Sequence, residues 1–433
     1  MKMIEYSKKL MSFIDSSPTS FHAVENAVGI LEKNNFKKLN YNEKWVLSSG
    51  MKYYTIVNNS TLVTFMLPAL INTAMNYCII GTHTDSPCIK IKPDASISFE
   101  DNILKFNTEI YGGPLLYTWF DRSLSIAGIV TYKSDTGIKS TLINYKQPVA
   151  VIPSIAIHLN KEVNQKGIPI SNQKDIIPIV SLINKDDDVK NYLIKNISEK
   201  INIDYTDILD YELSLYDTNC STTTGFNNEM ISSSRLDNLS MFYNSIEALS
   251  QSNPQNNSVS IAIGFDNEEI GSKSKKGADS VLTSVILERI WISSGLSRED
   301  FLISSTNSFI ISADLSHAVH PNSPDKTDPV SKNLINNGIV IKYNYNQKYS
   351  TDTESISKII LLCKENNIPF QKFVNSSDFP GGSTIGPHIS SALTANCVDI
   401  GVPALAMHSI RELAGVKDMY NSLELMKLIY NHF

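Results

Sequence analysis

The sequence predicts an α/β fold, a mixed sheet with helices, carrying an inserted β-rich domain. Apolar runs such as Tyr77 to Gly81 and Phe309 to Ala313 stop abruptly in polar, acidic or histidine-bearing turns, as strands do at the carboxyl edge of an open α/β sheet. Helical periodicity appears between such runs, in Leu239, Phe242, Tyr243, Ile246 and Leu249. From about Lys90 to Ser232 that pattern gives way to short alternating strands parted by turn residues. At 433 residues and 42% hydrophobic content, the chain is long for one domain and apolar enough for a sizeable core.

A net charge of −6 and a pI near 5.8 give no electrostatic case for nucleic acid or an anionic membrane as partner. The five cysteines, Cys78, Cys88, Cys220, Cys363 and Cys397, are odd in number, widely spaced and without a CxxC. They form neither a disulfide framework nor a thiolate zinc site, and they point to a reducing compartment. The amino terminus is too polar for a signal peptide, and the most apolar window, Val63 to Gly81, is broken by Pro68, Asn72 and Asn76. Cytoplasmic residence is the expectation.

In chain order, Met1 to Asp15 and Ser17 to Lys33 read as amphipathic helices, the second faced by Phe21, Val24, Val28 and Leu31. Strands follow at Tyr53 to Val57 and Leu62 to Leu67. The run Tyr77 to Gly81 ends in Thr82, His83, Thr84, Asp85, Ser86 and Pro87. In an extended chain residues two apart project to the same side, so Asp85 is placed to take one ring nitrogen of His83 and fix the tautomer of a metal-binding imidazole. A surface turn closed by Pro87 is the plainer alternative.

Within the β-rich stretch, Ala95 to Phe99, Ile103 to Ile110, Ile126 to Tyr132 and Thr141 to Tyr145 are strands, and His158 sits among Ile155, Ile157 and Leu159. Asp237 stands at a helix start, where a carboxylate can cap free N–H groups or serve as a ligand. Next, Val259, Ile261, Ile263 and Phe265 alternate along a strand that delivers Asp266, Glu268 and Glu269. These acids repel one another and call for positive charge beside them. A helix from about Asp279 to Ser293, a strand ending in Asp314, and Ala404 to Met407 ending in His408 complete the set.

Strand and helix termini thus present His83, Asp237, Glu268 with Glu269, Asp314 and His408, and an α/β fold gathers such termini at one edge. Two imidazoles and three carboxylates suit two divalent ions, most naturally zinc, with mixed nitrogen and oxygen ligands. Three carboxylates and a bridging hydroxide would balance the four positive charges. Glu268 is then left to act as general base on the metal-bound water.

GTHTDSP at 81 to 87, SSRLDNL at 233 to 239, DNEEIGS at 266 to 272, SADLSHAVHPN at 312 to 322, GGSTIGP at 381 to 387 and MHSIRE at 407 to 412 resemble, in that order, the aspartyl aminopeptidase family of dinuclear zinc exopeptidases. TWFDRSLSIAG at 118 to 128 and AIHLN at 156 to 160 also look like family signatures. The resemblance implies a three-layer mixed-sheet zinc peptidase domain, 1–89 and 233–433, with 90–232 an inserted oligomerisation domain. It implies His83, Asp237 and Asp314 on one zinc and Asp237, Glu269 and His408 on the other, Glu268 as base, and Asp85 behind His83. It further implies a cis Asp237-Asn238 peptide, Lys342 facing an acidic first side chain of the peptide substrate, and His158 reaching a neighbouring subunit's site within a dodecamer. Ser123 departs from an acid usual in the family, and Lys273, Lys275 and Lys276 make the segment after Gly271 unusually basic. Two other readings remain at this point: a deacylase or carboxypeptidase on the same scaffold, or a non-catalytic assembly protein.

Overall fold

The structure, a computed structural model, describes residues 2–379 and 381–433. Met1, placed by the sequence in the first helix, lies outside the described residues. The chain forms two compact units, one of residues 1–85, 221–407 and 412–433, the other of 86–220 and 408–411.

The first unit is built on a nine-stranded mixed sheet. Its order is Lys37–Lys38, Lys52–Val57, Thr61–Met66, Ser258–Phe265, Asn76–His83, Phe309–Ala313, Asn396–Gly401, Ile339–Lys342 and Phe370–Phe373. The Asn76–His83 strand runs parallel to both neighbours, Ser258–Phe265 and Phe309–Ala313, and is buried over nearly its whole length. That burial is why the segment reads as a continuous apolar run. One face packs helices Lys2–Ser16, Ser20–Lys33, Leu236–Gln251, Thr353–Glu365 and Val416–His432. The other packs Leu282–Ser293, Arg298–Thr306 and Ile385–Leu393, which makes three layers.

The alternation of Val259, Ile261, Ile263 and Phe265 has a double meaning in the folded chain. These bulky residues enter the core on the face of Trp291. The small residues between them, Ser260, Ala262 and Gly264, are buried too, and at Gly264 the Leu236–Gln251 helix comes so close that a Cβ would stand 2.4 Å from the Phe242 ring and 2.8 Å from Thr84 Cγ2. A half-solvated strand would show the same sequence pattern; the small side chains are what let a second layer in. A five-stranded sheet, Thr222–Thr224, Met230–Ser233, Glu412–Gly415, Pro403–Leu405 and Ser316–His317, completes this unit.

The second unit is a six-stranded antiparallel sheet in the order Gly137–Asn144, Leu124–Ser134, Ile208–Asp217, Cys88–Phe99, Ile103–Tyr111 and Ile179–Leu182. Leu193 and Ile197 of the helix Tyr192–Ile201 close its core, together with Ile410. In the first unit, Thr222–Thr224 pair with Met230–Ser232 and Met230–Ser233 with Glu412–Gly415, a long-range partner, while Ile410 belongs to the core of the second unit.

Gly264→Ala should lower stability by about 1–3 kcal/mol through overpacking against Phe242, read as a lower urea midpoint; an unchanged midpoint would show that the helix retreats freely.

Candidate metal centre

His83 ends the central parallel strand and is 1% exposed. Its Nε2 lies 3.3 Å from Asp237 Oδ1, 3.5 Å from Asp314 Oδ1 and 3.9 Å from Glu268 Oε2. Its Nδ1 bonds the Asp85 backbone oxygen at 3.0 Å, with the Asp85 carboxylate at 3.4 Å. Asp85 thus engages the ring through both its main chain and its side chain. The same carboxylate accepts the backbone N–H groups of Glu268 at 3.2 Å and Glu269 at 3.1 Å, so one acid orients the imidazole and anchors the glutamate turn.

The remaining acids arrive from neighbouring edges. Asp314 follows the strand Phe309–Ala313, and its N–H donates to the Ile400 oxygen at 3.0 Å. Asp237 lies in the first turn of the helix Leu236–Gln251, at two residues with non-helical angles, and the Asp237-Asn238 peptide is cis. The Asp237 N–H donates to Glu412 Oε2 at 3.0 Å, and Asn238 Nδ2 donates to the Ala313 oxygen at 2.9 Å. Glu268 and Glu269 form a 3₁₀ turn between Asn267 and Gly271, both at positive φ. Gly271 takes that angle without cost.

Among the described residues of this unit, two sets converge closely enough to hold a cation: His83 with Asp237 and Asp314, and His83 with Glu268 and Glu269. Donors bound at zinc's usual lengths in a tetrahedron stand about 3.4 Å apart, close to the 3.3 and 3.5 Å found around His83 Nε2. Charge points the same way. Burial, opposed by His83 and reinforced by Asp314, Asp85 and Asp237, pushes the Glu268 carboxyl up to about 8. Burial and the charge of Asp237 push Glu269 well up. At His83, burial works against the proton, but Asp237, Asp314 and Asp85 outweigh it and hold the imidazole well above its ordinary value. A buried set of this kind calls for positive charge, and a nitrogen and oxygen donor set without thiolate fits a borderline divalent metal.

Asp266 points elsewhere: its carboxylate pairs with Lys276 at 3.0 Å. Lys342 is buried at the end of Ile339–Lys342, with Nζ 4.0 Å from Asp314 Oδ2 and 5.3 Å from the Tyr349 ring centroid. Burial works against its proton, but Asp314, Tyr349, Asp399 and Asp237 keep its pKa above the ordinary value. A solvated strand lysine is therefore ruled out.

His158 and His408 belong to the second unit. His158 is exposed, on a loop whose Ile155, Ile157 and Leu159 are exposed as well. His408 has positive φ, and its Nδ1 lies 3.1 Å from the Gly113 oxygen.

Three supporting residues escaped the sequence reading. Glu412 and Asn238 act through the Asp237 backbone and the Ala313 carbonyl, contacts with no sequence signal. Asp399 is fully buried, accepts from Thr384 Oγ1 and the Ser350 N–H at 2.6 Å each, and leaves room only for glycine at 386. An acid inside the apolar run Cys397 to Ile400 was its one visible sign.

The model of the family described as Aminopeptidase I zinc metalloprotease (M18) matches residues 13–430. "Probable M18 family aminopeptidase 2" of Clostridium novyi (strain NT) is 44% identical over 430 residues, covering 99% of each chain. A chain in the cryo-EM structure of the Ape4 and Nbr1 complex superimposes with a TM-score of 0.94 at 32% identity, covering 99% of this chain and 86% of that one. The S. cerevesiae mApe1 dodecamer gives 0.86 at 27% identity, covering 99% and 96%.

Asp85→Asn, which weakens the hold on both His83 and the glutamate turn, should lower divalent-metal affinity by roughly 10–100-fold. Competition with a chromophoric chelator measures it, and wild-type affinity would remove Asp85 from this role.

Proposed function

We propose a reaction for this chain from the premise that it belongs to the M18 family of aminopeptidase I zinc metalloproteases. It is an aminopeptidase. On our reading His83, Asp237 and Asp314 would hold one divalent ion and Asp237, Glu269 and His408 a second, with Asp237 shared and zinc the ion that suits the donors. Such ions, when bound, polarise the scissile carbonyl and make water nucleophilic near neutral pH.

The residues of the chain supply the rest. Glu268 takes the proton of the attacking water and returns it to the leaving amine, and its turn is anchored by Asp85 so that the carboxylate keeps its place through both transfers. The observation that carries this reading is the packing of Asp237, Asp314 and Glu268 within 3.9 Å of one His83 nitrogen. Burial, reinforced by Asp314, Asp85 and Asp237, drives the Glu268 carboxyl up; cations bound beside it would bring it back toward neutrality, which suits it to give and take a proton at pH 7. The peptide's free α-amine would lie among these acids, which favours removal of the first residue.

Lys342 is the proposed partner of an acidic first side chain, an Asp or Glu, because its ammonium is dry and a carboxylate there would offset its burial. His158 is proposed to serve a neighbouring copy's site. Its exposed loop with Ile155, Ile157 and Leu159, together with the dodecamer named for mApe1, supports a homo-oligomer, a dodecamer on this reading, with the insert as its assembly domain. Among the described residues no helix is long and apolar enough to cross a membrane, and we take the cytoplasm as the site of action.

The test is hydrolysis of Asp-, Glu- and Leu-terminated peptides by metal-stripped and reconstituted protein. Activity should vanish on stripping and return with zinc. Glu268→Gln should retain metal and lose turnover by roughly 10²–10⁴-fold; full activity would end its assignment as base. Lys342→Ala should harm Asp and Glu substrates selectively, whereas an equal loss on Leu substrates would exclude it from the specificity pocket.

A further inference from the structure

The basic segment after Gly271 has no part in the ligand set, yet one of its lysines is fastened to the loop that carries both glutamates. That loop leaves the sheet at Asp266 and comes back beside it at Lys276, whose oxygen accepts the Asp266 N–H at 3.4 Å. Lys276 Nζ lies 3.0 Å from Asp266 Oδ2, and Asp266 Oδ1 accepts the Asn267 N–H at 2.9 Å. Thr61, on the adjoining strand Thr61–Met66, ties both ends: its Oγ1 accepts from the Asp266 N–H at 3.1 Å and donates to the Lys276 oxygen at 2.8 Å.

Between these ends the turn is closed by its own bonds. The Gly271 N–H reaches the Glu268 oxygen at 2.8 Å, the Ser272 N–H the Asn267 oxygen at 2.8 Å, and Ser274 Oγ the Asn267 Oδ1 at 2.8 Å. Gly277 permits the return, since a Cβ there would stand 2.1 Å from the Ser272 oxygen. Asp266 is 3% exposed and the Lys276 side chain 18%, and the ammonium also lies 5.5 Å from the centroid of the Phe21 ring.

A buried ion pair adds little net stability, because desolvation consumes most of its attraction, and its best-attested use is to fix one register among several. What this pair fixes is the closure of the 266–276 loop, whose inner side is pinned by the Asp85 carboxylate through the Glu268 and Glu269 N–H groups. We propose that Lys276 is a positioning residue for the aminopeptidase reaction: its ion pair with Asp266 clamps the glutamate loop and so holds Glu268 where it meets the attacking water. This rests on the assignment of Glu268 as base.

The test uses the zinc-reconstituted enzyme. Lys276→Met keeps the alkyl stem and removes the charge, and kcat should fall roughly 10–100-fold, as small displacements of a reacting group do, with KM within about twofold of wild type. Amide hydrogen exchange across 266–277 should accelerate, and Lys276→Arg should restore both readouts. Asp266→Asn breaks the pair from its other side and serves if the methionine variant does not fold. The double variant should lose no more than the worse single one, as two halves of one interaction do. Retained kcat in Lys276→Met, an arginine variant as slow as the methionine one, or fully additive losses would each overturn the proposal. Glu268→Gln run alongside separates the claims: full turnover there removes the base, while exchange in 266–277 still reads the clamp.

Discussion

Everything in the first unit's edge answers to one electrostatic constraint: several carboxylates share a nearly dry space around a single imidazole. Left to themselves such groups would move apart or take up protons, because each ionised acid raises the cost of the next. The fold prevents the first response by attaching each acid to a different rigid element. His83 ends the central strand, Asp314 the next one, Asp237 opens a helix, and the glutamates occupy a short turn. The second response, protonation, is what a divalent cation competes with, and a site assembled this way gains affinity from the repulsion it relieves.

Holding acids against their mutual repulsion takes hydrogen bonds to the main chain as much as to side chains. Asp85 grips the backbone of Glu268 and Glu269, Glu412 grips that of Asp237, and Asn238 ties the cis peptide to the Ala313 carbonyl. Each bond fixes, through the main chain, where a carboxylate starts from. This is the arrangement in which the outer partners of a metal site set its geometry.

The sequence marked the candidate site more clearly than the residues that support it. His83, Asp237, Glu268, Glu269 and Asp314 were legible because strands announce their ends by a change from apolar to polar residues, and an α/β fold collects those ends. Lys342 was less legible, since a lysine closing a strand looks alike whether wet or buried; only coordinates show it 2% exposed. Asp399 showed only as an acid inside an apolar run, and the supporting contacts of Glu412 and Asn238 were silent because they are made across long sequence separations and to backbone atoms. The alternation in Val259 to Phe265 was read for its large residues, while the small ones at Ser260, Ala262 and Gly264 explain how two layers close on the strand. The pairing of Met230–Ser233 with Glu412–Gly415 was not legible, because those residues look like more of the same short strands until the distant partner is known. Family membership settles the choice among catalytic and non-catalytic readings that the residues alone left open.

Ile410 has a bearing on how the molecule comes into being. The β-rich unit is not a contiguous stretch of chain: its core takes in Ile410, a side chain that leaves the ribosome long after the last of its six strands, Ile208–Asp217. Its six strands can pair early, yet that core is finished only when residues 408–411 arrive. Synthesis order thus makes the completion of that core wait for the intervening residues 221–407, and a chain cut short before 408 would carry an apolar gap in a unit whose strands were all complete.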